Sequence, residues 1–350
     1  MRIEQEYFEG CLLGGAVGDA LGAPIEFATL NEIKDRFGKD GITGFPKNPG
    51  QKAQITDDTQ MTMFTAEGLL RAVARWSERG ICHPPSIVHH AYIRWLHTQN
   101  EENRYLQESF GRETDDGWLI NIKELHHRRA PGNTCLSAMR SKQMGTIEEP
   151  INDSKGCGGV MRIAPVGLIV DPPFTMGCSI AAITHSHPCG YLSGGVLAQI
   201  IANINSDMSL EQSIEQALGV MAAVPRHEEC LKTIRLAMDL FGNGSSHEAN
   251  IRKIGHGWVG EEALAIAIYC SLSSQSDFRQ GVCMAVNHDG DSDSTGSITG
   301  NILGAYLGRR AIPPEWLESV ELAEEITQLA DDLLIQYKDD EEWKNRYPGW

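Results

Sequence analysis

The chain has 350 residues, of which 41% are hydrophobic and 22% are charged, and 30 basic against 47 acidic residues give a formal net charge of −17. This composition is ordinary for a folded protein, and the negative balance argues against a surface dominated by nucleic-acid backbone contacts. Aromatic residues make up only 7% of the chain, which disfavours a base-stacking surface for single strands.

Apolar residues recur at spacings of three and four along most of the chain, which predicts an all-α fold. Towards the end, Pro313 and Pro314 predict the start of a helix whose apolar face includes Leu322 and Leu333. The clearest other helical patterns lie at 59–77, 86–98, 192–204, 210–222, 228–241 and 262–272.

Two polar stretches, 101–133 and 143–160, interrupt the helical patterns without a shift in composition. We interpret them as functional loops of one compact domain spanning 1–350, an orthogonal helical bundle.

Glycines recur every four residues in one helical pattern near the end of the chain. Each glycine costs about 1 kcal/mol relative to alanine inside a helix, so their clustering on one face predicts close approach of another backbone. Tight helix packing is favoured over ligand contact along this face. The recurring glycines are Gly296, Gly300, Gly304 and Gly308, and the predicted partner surface carries Gly14, Gly15, Gly18 and Gly22.

The sequence shows no sign of export or membrane insertion. No apolar run approaches the roughly 20 residues of a membrane span, and the first residues lack the apolar core of a signal peptide. Nine scattered cysteines without a C-x-x-C pair fit reduced, mostly buried thiols. We expect a cytoplasmic protein with neither a membrane nor a nucleic-acid partner.

Two acidic clusters each precede a predicted helix. The first is Asp57 and Asp58 between Thr56 and Thr59, and the second places Asp289, Asp291 and Asp293 at alternate positions before Ser294. Helix capping explains one such residue, but packing several carboxylates together without a cation costs like-charge repulsion. Metal binding is therefore favoured over capping with solvated charge.

The available ligands are carboxylate and hydroxyl oxygens, which suit Mg, Mn or Ca better than zinc. An EF-hand is excluded, since Ser294 stands where its glycine is needed and Gly300 where its glutamate is needed. A shared site fed by both clusters and holding two divalent cations fits better.

A glycine-rich stretch over 153–159 could present backbone N–H groups to a phosphate, although a plain turn is about as likely. It is neither a P-loop nor a Rossmann fingerprint. His185, before another helical pattern, is by itself more often structural.

Taken together and in this order, these stretches resemble the ADP-ribosylglycohydrolase family. The resemblance implies an all-helical fold with two Mg or Mn ions that hydrolyses the bond between ADP-ribose and a side chain or small acceptor. It covers about 11–308. The matching segments are GGAVGDALGAPIE at 14–26, TDDTQM at 56–61, APGNT at 130–134, GCGGVMRIAP at 156–165, Thr184-His185, and GDSDSTGSITG at 290–300.

The resemblance also implies residue roles. The metal ligands would be Thr56, Asp57, Asp58, Asp291, Asp293 and Ser294. ADP-ribose would be bound by Asn133, Ser154, Lys155, Gly156, Cys157, Gly158 and His185. Catalysis would fall to Glu26 or Asp57, which the sequence does not separate. The chain departs from the family pattern at Ser294 in place of threonine and at Cys157 in place of an asparagine found in some members. Ala130 stands where some arginine-specific bacterial members are expected to have an aspartate, which counts against arginine as the acceptor.

The resulting hypothesis is a metal-dependent hydrolase that removes ADP-ribose from modified proteins, most readily from arginine. A cationic guanidinium suits an acidic protein, and acidic residues in 101–116 (Glu108, Glu113, Asp115 and Asp116) could bind it. A solvated surface is an equally favoured interpretation of this loop. Hydrolysis of serine-linked or O-acetyl ADP-ribose, a two-metal phosphoesterase and a structural protein are the alternatives. An immunity-type role, in which the partner is an ADP-ribosylating toxin, is a further one.

Overall fold

The computed structural model describes residues 4–46, 50–99, 116–141 and 143–349, and in these ranges it contains helices and no strand. Two isolated bridges, Ala53 with Val320 and Gly156 with Val259, are the only β-type pairings there. The all-α prediction is confirmed.

The described residues form seventeen α-helices, numbered here in chain order. The first nine are α1 (Gln5–Gly22), α2 (Leu30–Phe37), α3 (Asp57–Arg79), α4 (Pro84–Thr98), α5 (Asn133–Arg140), α6 (Ala164–Ile169), α7 (Pro173–Ala182), α8 (Pro188–Asn205) and α9 (Leu210–Met221). The others are α10 (Glu228–Leu240), α11 (His247–Ile254), α12 (Gly260–Ser273), α13 (Phe278–Val286), α14 (Ser292–Leu307), α15 (Pro314–Ser319), α16 (Ala323–Ile335) and α17 (Glu341–Arg346).

Helices α1 and α14 pack antiparallel through their glycines, as the four-residue spacing predicts. Gly14 faces Gly300 and Gly18 faces Gly296, and a β-carbon at Gly296 would lie 2.5 Å from the Gly18 carbonyl oxygen. The predicted face differs at one end, because Gly308 ends α14 with a φ of 82° and the contact there joins Gly10 to Gly304. The glycines allow backbone contact that a side chain would block.

This helix pair lies in one hydrophobic core that includes side chains from Phe8 to Tyr347. Helices α3, α13 and α16 pack against α1 or α14. The continuity of this core supports the single-domain prediction, and it brings the first turn of α3 and the first turn of α14 towards the end of α1.

The six other predicted helical patterns each coincide with a helix, within a few residues at each end. The single helix predicted after Pro313 is wrong, because two helices, α15 and α16, occupy this region. The chain breaks at Val320, which is extended, and at Leu322, which is left-handed. The extended segment at the break pairs with Ala53. The Ala53 N–H donates to Ser319 O at 2.8 Å, and the Glu321 N–H donates to Ala53 O at 2.9 Å.

All nine cysteines are free, as expected, and six are fully buried. Within the described ranges no single helix has both the length and the apolar composition of a membrane span. One pair, Gln5–Ile25 with Leu30–Phe37, bent by 94°, meets that threshold when its members are joined.

Candidate metal centre and ligand cleft

Six carboxylates converge where α1, α3 and α14 meet. Each of the two acidic clusters opens a helix: Thr56 is the N-cap of α3 and Asp291 the N-cap of α14. The third contribution comes from the end of α1 and the turn after it. The six groups are Asp19, Glu26, Asp57, Asp58, Asp291 and Asp293, which influence one another electrostatically.

Asp19 is the member of this group that the sequence reasoning missed. Its buried carboxylate accepts from Thr56 N–H at 3.0 Å and from Thr59 N–H at 3.1 Å, and it also accepts from the Thr59 hydroxyl. Asp19 therefore holds the start of α3 against α1. The available signal was its place directly after Gly18 on the glycine face, which puts it at the helix contact.

In the first cluster, the hydrogen bonds within the chain do not engage every carboxylate oxygen. The Thr56 hydroxyl accepts from Asp58 N–H at 3.2 Å, and Asp57 Oδ2 accepts from Gly132 N–H at 3.1 Å. Asp58 Oδ2 is buried and has no hydrogen-bond partner among the described residues. A buried carboxylate oxygen without a partner is costly, and it indicates a place for a ligand.

The second cluster is arranged around Asp291. Ser294 N–H donates to Asp291 Oδ1 at 3.2 Å and to Asp293 Oδ1 at 3.0 Å, and the Cys157 thiol donates to Asp291 Oδ2 at 2.8 Å. Burial, with Asp291 beside it, raises the pKa of Cys157 well above its usual value, so this residue is a neutral donor. Asp289 is not part of the centre, because it accepts from Leu30 N–H at 2.7 Å and starts α2 instead.

Burial raises the pKa of every carboxylate in the centre, and neighbouring carboxylates add to this for all of them except Asp293. Burial and then Asp293 raise the pKa of Asp19 to about 7 and that of Glu26 to about 9. The pKa values of Asp58 and Asp291 are raised well above the usual value for the same two reasons. No lysine or arginine in the described residues forms an ion pair with these six groups.

The residues present fit divalent cations. All donors are carboxylate or hydroxyl oxygens, the set that Mg and Mn prefer, and one buried oxygen has no other partner. A cation also removes the repulsion that raises the pKa values. The six predicted ligands thus lie together with Asp19 and Glu26, while their coordination remains a prediction.

Backbone hydrogen bonds hold the glycine-rich loop, residues 154–158, beside the second cluster. Ser154 O accepts from His187 N–H at 3.2 Å, Lys155 O from Gly260 N–H at 2.7 Å, and Cys157 N–H donates to Trp258 O at 3.2 Å. A β-carbon at Gly156 would lie 3.2 Å from His185 Nε2. His185 is therefore packed on the loop, as a ligand-lining residue would be.

Two other predicted ADP-ribose residues are placed differently. The Lys155 ammonium points away, donating to Glu229 and Glu261 at 2.6 Å each, and although burial opposes it, these bonds raise its pKa. Only the Lys155 backbone remains to meet a phosphate. Asn133 is the exposed first residue of α5, one residue after the Gly132 that binds Asp57.

A separate group, His187, Cys189 and Glu229, has ligand atoms within 4.8 Å of one another. Two of its three residues are already engaged. His187 Nδ1 accepts from Cys189 N–H at 3.1 Å as the cap of α8, and Glu229 binds the Lys155 ammonium. This group is not the centre predicted from the acidic clusters.

The mouth of the centre is aromatic and acidic. Phe27, directly after Glu26, stacks on Trp258 with ring centroids 5.6 Å apart, and both rings are exposed. Beside them, a pocket of about 470 Å³ is lined by 23–28 together with Glu32, Asp35 and Arg36.

Of the predicted acidic loop, Glu108, Glu113 and Asp115 lie outside the described residues, and Asp116 accepts from Arg71 at 3.0 Å.

The chain is similar to known proteins over nearly its whole length. A profile of the ADP-ribosylglycohydrolase family matches residues 2–342. The ADP-ribosylhydrolase ARH3 of Bos taurus is 24% identical over 93% of this chain and 92% of its own. The ADP-ribosyl-[dinitrogen reductase] glycohydrolase of Rhodospirillum rubrum is 25% identical over 93% and 94%. The ADP-ribosylarginine hydrolase Tri1 of Serratia proteamaculans is 24% identical over 93% and 78%.

A solved structure titled ADP-ribosylglycohydrolase-related protein complex superposes with a TM-score of 0.62, at 22% identity, covering 96% of this chain and 99% of that one. This likeness confirms the fold. The chain belongs to the ADP-ribosylglycohydrolase family, a class of hydrolases that remove ADP-ribose.

Proposed function

We propose that this protein is a hydrolase that uses divalent cations to release ADP-ribose from arginine side chains of modified proteins. The observation that carries the proposal is the centre of six carboxylates, with which no lysine or arginine of the described residues forms an ion pair, beside a glycine-rich loop packed on His185. ADP-ribose has a diphosphate and vicinal hydroxyls, and divalent cations in this centre would offset the repulsion between the diphosphate and the six carboxylates.

Two Mg or Mn ions would be held by Thr56, Asp57, Asp58, Asp291, Asp293 and Ser294. When bound, divalent cations supply charge neutralisation and Lewis-acid polarisation to such a site. The backbone of the loop 154–158 and His185 would orient the ligand. Cys157, a neutral thiol, fixes the direction of the Asp291 carboxylate.

Glu26 fits proton transfer better than Asp57 does. Asp57 is tied to Gly132 N–H at 3.1 Å, which fixes it for ligand binding. Glu26 lies at the mouth and is only partly buried, and burial and then Asp293 raise its pKa to about 9, so it holds a proton at neutral pH in the absence of metal. Bound cations would oppose the effect of Asp293 and lower that pKa, as a general base requires. As in glycoside hydrolysis, the carboxylates also stabilise positive charge developing on the ribose.

The acceptor assignment rests on charge at the mouth. The pocket beside Glu26 is also lined by Asp35 and by Glu32, which caps α2, against one basic residue, Arg36, and a guanidinium binds carboxylates through paired hydrogen bonds. Tri1, whose name specifies ADP-ribosylarginine, aligns over 93% of this chain. A toxin as partner has no such support and is not part of the proposal.

The test compares release of ADP-ribose from arginine-linked and serine-linked peptides at equal concentration, with Mg, with Mn and with EDTA. We expect the arginine-linked peptide to be faster by about tenfold or more, the scale of discrimination that matched polar contacts provide. Faster release from the serine-linked peptide would refute the arginine assignment, and turnover in EDTA would refute the cation requirement.

Two variants distinguish the loss of proton transfer from a general loss of folding. Glu26→Gln should abolish turnover while keeping ADP-ribose binding, since only proton transfer is lost. Asp40→Asn is the matched control, because Asp40 is an exposed carboxylate paired with Lys39 at 3.2 Å. Equal losses in both variants would contradict the role of Glu26.

A further inference from the structure

Arg162 is a fully buried cation beneath the ligand loop. Its guanidinium carbon lies 4.2 Å from the Tyr92 ring centroid, and its Nη1 lies 3.6 Å from Cys135 Sγ. No carboxylate of a described residue forms an ion pair with it, and its Nε has no partner. A buried charge without a counter-ion is costly to keep, which indicates that Arg162 has a role beyond packing.

The shortest hydrogen bond of Arg162 connects it, through Thr184, to His185 beside the ligand loop. Nη2 donates to the Thr184 hydroxyl oxygen at 2.6 Å, and that oxygen lies 2.8 Å from His185 Nδ1. A guanidinium only donates, so Thr184 accepts from Arg162. The hydroxyl proton is then free for the imidazole nitrogen, a better acceptor than the nearby Cys135 sulfur. This direction makes His185 Nδ1 the acceptor and leaves the ring proton on Nε2.

The charge of Arg162 favours the same arrangement. The N–H end of a neutral imidazole is positive, so the guanidinium repels it from Nδ1, the nitrogen on its own side. Burial and then Arg162 lower the pKa of His185 to about 3, and the ring is therefore neutral. The hydrogen bonds and the charge of Arg162 therefore both favour a single proton on Nε2, the nitrogen farther from Arg162.

His185 Nε2 points to the ligand loop. It lies 3.2 Å from the position of a β-carbon at Gly156 and 3.3 Å from one at Gly158. The ring is 2% exposed, and Nε2 makes no hydrogen bond to a described residue. An imidazole N–H that no described residue accepts, at the face of a glycine loop packed against the ring, fits an acceptor oxygen on a ligand.

We propose that Arg162 and Thr184 are positioning residues that fix His185 as a neutral imidazole with its proton on Nε2, aimed as a donor at a ligand oxygen in the loop. The identity of that oxygen as part of ADP-ribose rests on the proposed function. The tautomer itself does not, because it follows from hydrogen bonds within the chain.

The test reads the tautomer directly. Long-range proton–nitrogen NMR of protein with labelled histidine is recorded between pH 6 and 8, with the His185 signals assigned from a His185→Gln spectrum. We expect a proton on Nε2 and a bare Nδ1 in the ligand-free protein. A proton on Nδ1, or a charged ring, would overturn the proposal, and this wild-type measurement decides even where a variant is unstable.

Two variants of Thr184 add a matched comparison. Thr184→Ser keeps the hydroxyl and should keep the tautomer and the ADP-ribose affinity. Thr184→Val keeps the shape without the hydroxyl, and it should populate both tautomers and weaken ADP-ribose binding in calorimetry by about five- to tenfold, the effect of one lost hydrogen bond. We call the chain of contacts from Arg162 through Thr184 to His185 the relay. Equal binding and equal spectra in the two variants would overturn it.

The outcomes also separate the two proposals. If the spectra behave as expected but ADP-ribose does not bind the wild-type protein in Mg or Mn, the relay stands and the proposed function fails. If ADP-ribose binds and is released from peptides while His185 carries its proton on Nδ1, the function stands and the relay fails.

Discussion

Without metal, the protein should lose stability as the pH rises, and Asp19 is the group that isolates this effect. Folding raises its pKa from 3.8 to about 7, by burial and then by Asp293. Below pH 4 both folded and unfolded chains keep the proton. Between pH 4 and 7 the unfolded chain releases it while the folded chain retains it, so the free energy of unfolding falls. Above pH 7 both are ionised and the decline ends.

The pKa values set the size of the change. With 1.36 kcal/mol per pKa unit, the contribution of Asp19 falls by about 2 kcal/mol between pH 5 and pH 7, and by about 4 kcal/mol over its whole range. The measurement is urea unfolding in EDTA at several pH values for the wild type and for Asp19→Asn, whose amide stays neutral. Added Mg or Mn should restore the stability of the wild type at pH 7 by binding the folded state.

The difference between wild type and variant is the decisive quantity. Asp19→Asn also loses hydrogen bonds to α3, but that loss is constant with pH and leaves the slope unaffected. A difference in unfolding free energy that stays the same from pH 5 to pH 7 would refute the buried, cation-free carboxylate centre from which the argument starts.

Three further outcomes are expected. Asp291→Ala should lose bound Mn in equilibrium dialysis with unchanged helicity by circular dichroism; full occupancy would contradict the shared centre. Gly300→Ala should destabilise by about 3 kcal/mol in urea unfolding because its β-carbon meets the Gly14 backbone, whereas Gly219→Ala, with nothing within 4 Å, should stabilise by up to about 1 kcal/mol. Gly158→Val should weaken ADP-ribose binding in calorimetry, since its β-carbon would lie 2.9 Å from the His185 ring; unchanged affinity would make the loop a plain turn.

Patterns that repeat along the chain were informative about the fold. The four-residue glycine spacing predicts the contact of α1 with α14, because only backbone contact explains so many helix-weakening residues on one face. The acidic clusters predict a shared centre, because their repulsion demands a common cation. In both cases a local cost in the sequence indicates a compensating contact in the structure.

Residues whose role depends on a distant partner were not predictable in this way. Asp19 and Arg162 each look like one charged residue near glycines, and only the packing shows that they organise Thr56 and Thr184. Asp289 has the spacing of a ligand, but the start of α2 takes its carboxylate. The break at Val320 depends on pairing with Ala53, which no periodicity in 313–333 records.

The contact of α1 with α14 also has a consequence for biosynthesis. Asp58 and Asp291 are separated by more than two hundred residues, so at roughly 5–20 residues per second a ribosome makes the second acidic cluster about ten seconds or more after the first. During that interval the glycine face of α1 lacks its partner and the first carboxylates lack theirs. Closing so long a segment is slow. We therefore expect metal binding at the proposed centre to require nearly the whole folded chain, and a ribosome-bound fragment ending before α14 should bind no Mn.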